Sequence, residues 1–105
     1  MEISFKIDGK MQTFTKETIY LRDNIRAVKH QIVQSNYFES PQQSHEEYEN
    51  MQYDFCEMIA YVFDGEFSAE QLRDNYPLSE REKLDEIYIL ALGGTLKKES
   101  TDEKK

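Results

Sequence analysis

Apolar residues along this chain form one dominant block and several shorter ones. Tyr48, Met51, Phe55, Met58 and Val62 recur at steps of three and four, and at about 100° per residue they share one helical face with Ile59 and Phe63. The spacing predicts a long amphipathic helix within residues 46–67. Its other side carries Glu46, Glu49, Asn50, Asp54 and Glu57, so an apolar arc roughly 140° wide must be covered by other elements. Ser44 with Glu47 three residues on makes a capping box at the start, and Asp64-Gly65 supplies the left-handed conformation that stops the helix.

The flanking segments read as partners for that face. Ile3, Phe5 and Ile7 alternate with Glu2, Ser4 and Lys6, and Asp8-Gly9 turns the chain into a second strand around Thr13, Phe14 and Thr15, which predicts a β-hairpin laid on a helix. Leu21, Ile25, Val28 and Ile32 repeat at four, three and four, predicting a first helix over 22–34 with this face turned inward and Arg22, Arg26 and Lys29 outside. Residues 35–44 lose the periodicity and contain Ser40-Pro41, so they read as a loop. Ser68 with Gln71 predicts a short helix to about Asn75, ended by Tyr76-Pro77. Ser79 with Glu82 predicts a third capping box, opening a last helix on Leu84, Ile87, Tyr88 and Ala91 that Gly93-Gly94 ends. The expected architecture is α+β and mostly helical, an N-terminal β-hairpin followed by a bundle of three to four helices. Residues 1–94 are expected to form one domain and the charged residues 95–105 a flexible tail.

Composition narrows the function. With 105 residues and 38% hydrophobic content, one modest core is possible. The net charge of −8 is uneven: residues 1–35 hold six basic and four acidic groups, whereas residues 36–76 hold ten acidic groups against Arg73 alone. That field disfavours nucleic acid and anionic membrane and favours a basic protein surface, including the N-terminal part of a second copy. The opening MEISFKIDG has no basic or apolar leader character, and the longest apolar run, Ile87 to Leu92, is six residues, so neither secretion nor membrane spanning is expected.

Little in the chain points to catalysis. His30 and His45 sit on different elements without a second ligand at metal spacing, and Cys56 lies beside the apolar face of the central helix, where burial raises a thiol pKa. The acidic residues of that helix read as a solvated surface, and Gly65, Gly93 and Gly94 do not make a phosphate loop. No enzyme activity, cofactor or metal is therefore expected. The seven tyrosines and six phenylalanines say more. Phe5, Phe14, Phe55 and Phe63 fill a core, which leaves Tyr37, Phe38, Tyr53, Tyr61, Phe67 and Tyr76 as candidates for a protein interface. Tyr37 and Phe38 are read first as residues folded over the core and otherwise as presented to a partner.

The block over 58–76, MIAYVFDGEFSAEQLRDNY, resembles the tail assembly chaperones of long-tailed, siphovirus-type bacteriophages, especially those of Gram-positive hosts. The shared feature is a helix ending in a Val-Phe-Asp-Gly-x-Phe turn, here Val62 to Phe67 followed by Ser68. The hairpin running into Leu21-Arg22-Asp23-Asn24-Ile25 is similar as well, so the likeness extends over nearly all of residues 1–94; residues 35–44 match no family pattern. The resemblance implies a non-enzymatic protein of the host bacterial cytoplasm. It would bind and solubilise the tape measure protein, help recruit tail tube subunits and be absent from the mature virion. A homo-oligomer is expected from the charge split. The competing reading is a small acidic inhibitor or antirepressor that mimics nucleic acid.

The composition of residues 95–105 generates the first prediction: truncation after Gly94 leaves the melting temperature almost unaltered in a thermal unfolding experiment, and loss of folding would show that the tail packs.

Overall fold

The computed structural model describes residues 1–94. In chain order the elements are β1 (Glu2–Ile7), β2 (Lys10–Thr15), α1 (Leu21–Glu39), α2 (His45–Val62), α3 (Ala69–Asn75), a 3-10 turn (Leu78–Glu80) and α4 (Arg81–Ala91). This is the expected α+β, mostly helical arrangement; the expectation of a flexible tail lies outside the described residues.

The hairpin forms because its turn residues accept the required backbone. Asp8 and Gly9 have φ of 55° and 82°, the pair of positive values that a two-residue type I′ turn needs to match strand twist. Ile3 faces Phe14 across the antiparallel register, and Ile3, Phe5, Ile7 and Phe14 are buried, while the Ser4 and Thr13 hydroxyls bond at 2.8 Å on the other face. Two strands alone are marginal in water. Here β1 lies against α3, and an aromatic cluster joins the layers: the Phe67 ring centroid is 5.2 Å from that of Phe5, 4.8 Å from that of Phe14 and 5.7 Å from that of Phe63.

Helix α2 supplies the floor of this core. Glu47 N–H donates to Ser44 Oγ at 3.1 Å and Ser44 N–H to Glu47 Oε1 at 2.8 Å, the reciprocal bonds of a capping box. At the other end Asp64 and Gly65 have φ of 61° and 72°, and Gly65 N–H reaches back to the Ala60 carbonyl at 2.9 Å. This Schellman-type closure satisfies a carbonyl of the last turn and aims Phe67 back into the core. Met51, Phe55, Met58, Ile59, Val62 and Phe63 are all buried, in agreement with the periodicity. Tyr48 on the same stripe is exposed, because it precedes the packed part of the helix.

Three expectations are corrected. Phe67 is 3% exposed and belongs to the core rather than to an interface; the turn at Asp64-Gly65 reverses the chain and carries it inward. The first helix runs on to Glu39, so the predicted loop over 35–44 shrinks to residues 40–44. Nothing from Ser35 to Glu39 breaks a helix, and the break comes at Ser40, held extended (φ −69°, ψ 132°) ahead of Pro41. The third capping box does not form. Ser79 lies inside the 3-10 turn, closed by Glu80 N–H to the Pro77 carbonyl at 3.0 Å, so its backbone is not in the extended conformation of an N-cap and α4 starts at Arg81.

Phe55 sits at 3% exposure between α1 and α4, with the Arg81 guanidinium 4.0 Å from its ring centroid. Phe55→Ala is expected to cost about 3–5 kcal/mol, measured by denaturant unfolding; a midpoint unchanged from wild type would contradict its place in the core.

Candidate protein-interaction surface

Helix α1 packs with the side opposite to the one its apolar pattern suggests. Leu21, Ile25, Val28 and Ile32 are 75%, 62%, 37% and 57% exposed, whereas Asp23, Ala27 and His30 are buried. The expectation that the four aliphatic residues face the core, and that Arg26 lies outside, is therefore corrected.

The physical reason is a polar network on α2. Arg26 Nη2 donates to Asp54 Oδ1 at 2.7 Å, and His30 Nδ1 lies 2.9 Å from Asp54 Oδ2. The His30 ring is also stacked edgewise on Phe55 and Tyr88, at centroid distances of 5.3 and 5.4 Å. Asp54, expected on a solvated acidic face, is instead largely buried between two helices. Further bonds hold α1 in the same orientation. Lys16 Nζ stands 3.3 Å from Asp23 and 3.5 Å from Asp64, Arg22 pairs with Asp64, and Asn24 Nδ2 donates 3.0 Å to the Ala91 carbonyl at the end of α4. Lys16, Arg22 and Arg26, half of the cations in residues 1–35, are thus paired with acids of the same chain.

Burial pushes the His30 pKa below its ordinary 6.5, more than the hydrogen bond to Asp54 raises it. For Asp54 burial acts upward, but the hydrogen bonds from Arg26 and His30 together with their charges outweigh it and hold the carboxyl below its usual range.

Around this helix the candidate aromatics divide. Tyr37 is half-buried and Phe38 is 61% exposed; their rings meet at 5.3 Å, and Tyr48 joins them at 5.9 Å from Tyr37 to make an aromatic corner where α1 turns into α2. Tyr53 and Tyr61 flank a cleft of 630 Å³ between α1, α2 and α3, whose α1 wall is Arg22, Arg26 and Lys29. Tyr53 Oη donates to Glu70 at 2.7 Å, a bond that raises its pKa. Tyr61 lies 5.9 Å from the Arg22 guanidinium. Tyr76 is half-buried on the core side, 5.8 Å from Phe5, with its hydroxyl donating to the Glu80 carbonyl at 3.1 Å. Phe67 and Tyr76 thus help fix the hairpin, while Phe38, Tyr53 and Tyr61 remain at the surface. The outward orientation of the aliphatic row of α1 is the functional feature that the sequence reading did not give. Its signal was width: four residues within about 60° of arc make a narrow seam, whereas a helix facing a globular core carries a stripe of 100° or more.

A model of the family described as phage tail chaperone protein matches residues 1–105. The chain belongs to this family. Comparison with curated proteins and with solved structures finds no match. The family implies a non-enzymatic role. In this tail chaperone burial raises the Cys56 thiol pKa, which leaves it protonated and unreactive at neutral pH.

The network makes the fold acid-sensitive. A histidine with depressed pKa binds its proton less readily folded than unfolded, so its contribution is complete above 6.5 and is lost as pH falls below that value. Asp54 acts in the same direction at lower pH, its contribution being complete above 3.8 and lost as pH falls through its lower folded value. The melting temperature is expected to hold level between about pH 7 and 8, decline through about pH 6 and fall again below about pH 4. His30→Gln, uncharged throughout, flattens the first decline in the same scan.

Proposed function

We propose that this tail chaperone binds and solubilises the tape measure protein in the cytoplasm of its bacterial host, helps recruit tail tube subunits to it, and is absent from the mature virion. Family membership supports tail assembly as the setting. The single observation that favours an apolar client is the exposed row Leu21, Ile25, Val28 and Ile32. Burying one such side chain is worth roughly 1.5–3 kcal/mol, so a helix that leaves four of them in water gains from a partner that covers them. A nucleic-acid mimic, the alternative raised by the acidic composition, has no use for such a row.

Self-association fits the same role, because one small domain covers only part of an elongated client. Of the candidate interface residues, Tyr37 and Phe38 at the aromatic corner, Tyr53 and Tyr61 at the cleft and the half-exposed Tyr76 are the proposed contacts; Phe67, buried in the core, is withdrawn. With half of the N-terminal cations paired inside the chain and a net charge of −8, copies repel one another. The association therefore rests on apolar contact and is expected to strengthen as salt screens that repulsion, rather than weaken as the charge split alone suggests.

Co-expression of the chaperone with the tape measure protein tests the client. The expected result is tape measure protein in the soluble fraction and co-purifying with the chaperone; a client that precipitates equally with and without it would overturn the reading. Sedimentation at several protein and salt concentrations tests self-association, and a strict monomer at high concentration and high salt would remove it.

A further inference from the structure

The outward row of α1 has the spacing of a coiled-coil seam. With Ile25 at heptad position a, Ile32 is the next a and Leu21 and Val28 are d residues, the aliphatic set that packs knobs into holes. Arg22 and Lys29 fall at e, Asn24 and Gln31 at g. Asp23, His30 and Tyr37 fall at f, opposite the seam, where a free coiled coil meets solvent. Here that side is what docks on the protein body, and Asp23 and His30 are 0% and 2% exposed. The helix is fixed by its back and presents its seam.

The rim charges indicate what fits. Between Leu21 and Ile32 the sole acid is Asp23, which is buried, so both e positions are cationic and neither g position is charged. Lys29 has no ion pair among the described residues, and Arg22 remains half-exposed beside Asp64. A second copy fits poorly. In an antiparallel pair of α1 helices e meets e, setting Arg22 and Lys29 of one copy against the same cations of the other. In a parallel pair e meets g, which offers no charge at all. We propose that the α1 seam docks one heptad-patterned helix of another protein, whose aliphatic a and d residues cover Leu21, Ile25, Val28 and Ile32 over about three turns and whose acidic flank lies along Arg22 and Lys29. This deepens the chaperone reading by giving the client's contact segment a chemistry.

The test uses the full chain and two synthetic peptides of about four heptads with identical Ile/Leu seams, one flanked by Glu and the other by Lys. In fluorescence anisotropy the Glu peptide is expected to bind about fivefold to tenfold tighter than the Lys peptide, the effect of two exposed ion pairs. The Ile25→Glu/Val28→Glu double variant is expected to lose binding while keeping its circular dichroism and melting temperature, since both side chains point to solvent. Lys29→Glu is expected to narrow or reverse the preference between peptides. Equal binding of the two peptides, no binding of either, or undiminished binding by the double variant would overturn the proposal. Loss of self-association in the double variant by sedimentation would also overturn it, because a second copy would then occupy the seam. The two readings separate in co-expression. If wild type solubilises the tape measure protein and the double variant does so equally well, the seam fails and the chaperone function stands; if wild type does not solubilise it, that function fails whatever the peptides show.

Discussion

A carboxylate on the wrong side of a helix, by the logic of simple amphipathicity, decides how this molecule is put together. Asp54 occupies the polar side of α2, yet it is closed over by α1 and accepts hydrogen bonds from Arg26 and His30. A buried carboxylate without partners is costly, whereas one with a guanidinium and an imidazole in place is tolerated and, through its directional bonds, selects one orientation of the neighbouring helix. Rotating α1 by half a turn to bury its aliphatic row would strand Asp54 and expose Arg26, His30 and Asp23. The network therefore ties the α1–α2 interface to a single arrangement.

That arrangement leaves a row of aliphatic side chains in water. Ion pairs do not by themselves repay such exposure, since burying four aliphatic groups is worth more than most polar networks contribute net. Under the proposed function, a partner that covers the row supplies the burial that the fold itself forgoes. Beneath the row the packing is ordinary: Phe5, Phe14, Phe63 and Phe67 meet at ring distances of 4.8 to 5.7 Å and join the hairpin to the end of α2. The same core takes in Ala27 on the inner side of α1 and leaves the outer side of that helix uncovered.

Charge follows the same division. The acids of residues 36–76 look in sequence like a field waiting for a basic partner, but Asp54 and Asp64 are met by Arg26, Arg22 and Lys16 within the chain. Part of the polarity that suggested intermolecular attraction is an intramolecular fastener. What remains outward on α1 is a small cationic rim beside an apolar seam, a more selective feature than a net charge.

Local pattern alone determined the hairpin, the phase of α2, the caps at Ser44 and Ser68 and the turn at Asp64-Gly65. In each of these the deciding forces act within a few residues: alternation, 3.6-residue periodicity, a side-chain oxygen in reach of a free N–H, a backbone that tolerates positive φ. It also determined the family likeness, carried by that same turn. The side of α1 that faces inward, the burial of Asp54, the loss of the Ser79 cap and the inward placement of Phe67 were settled only by tertiary structure. An aliphatic row predicts which residues share a face, but whether that face is buried depends on what the neighbouring helix presents to it. Here α2 presents a carboxylate, and Arg26 and His30 answer it from 24 to 28 residues away in the chain, a separation over which no local pattern carries information.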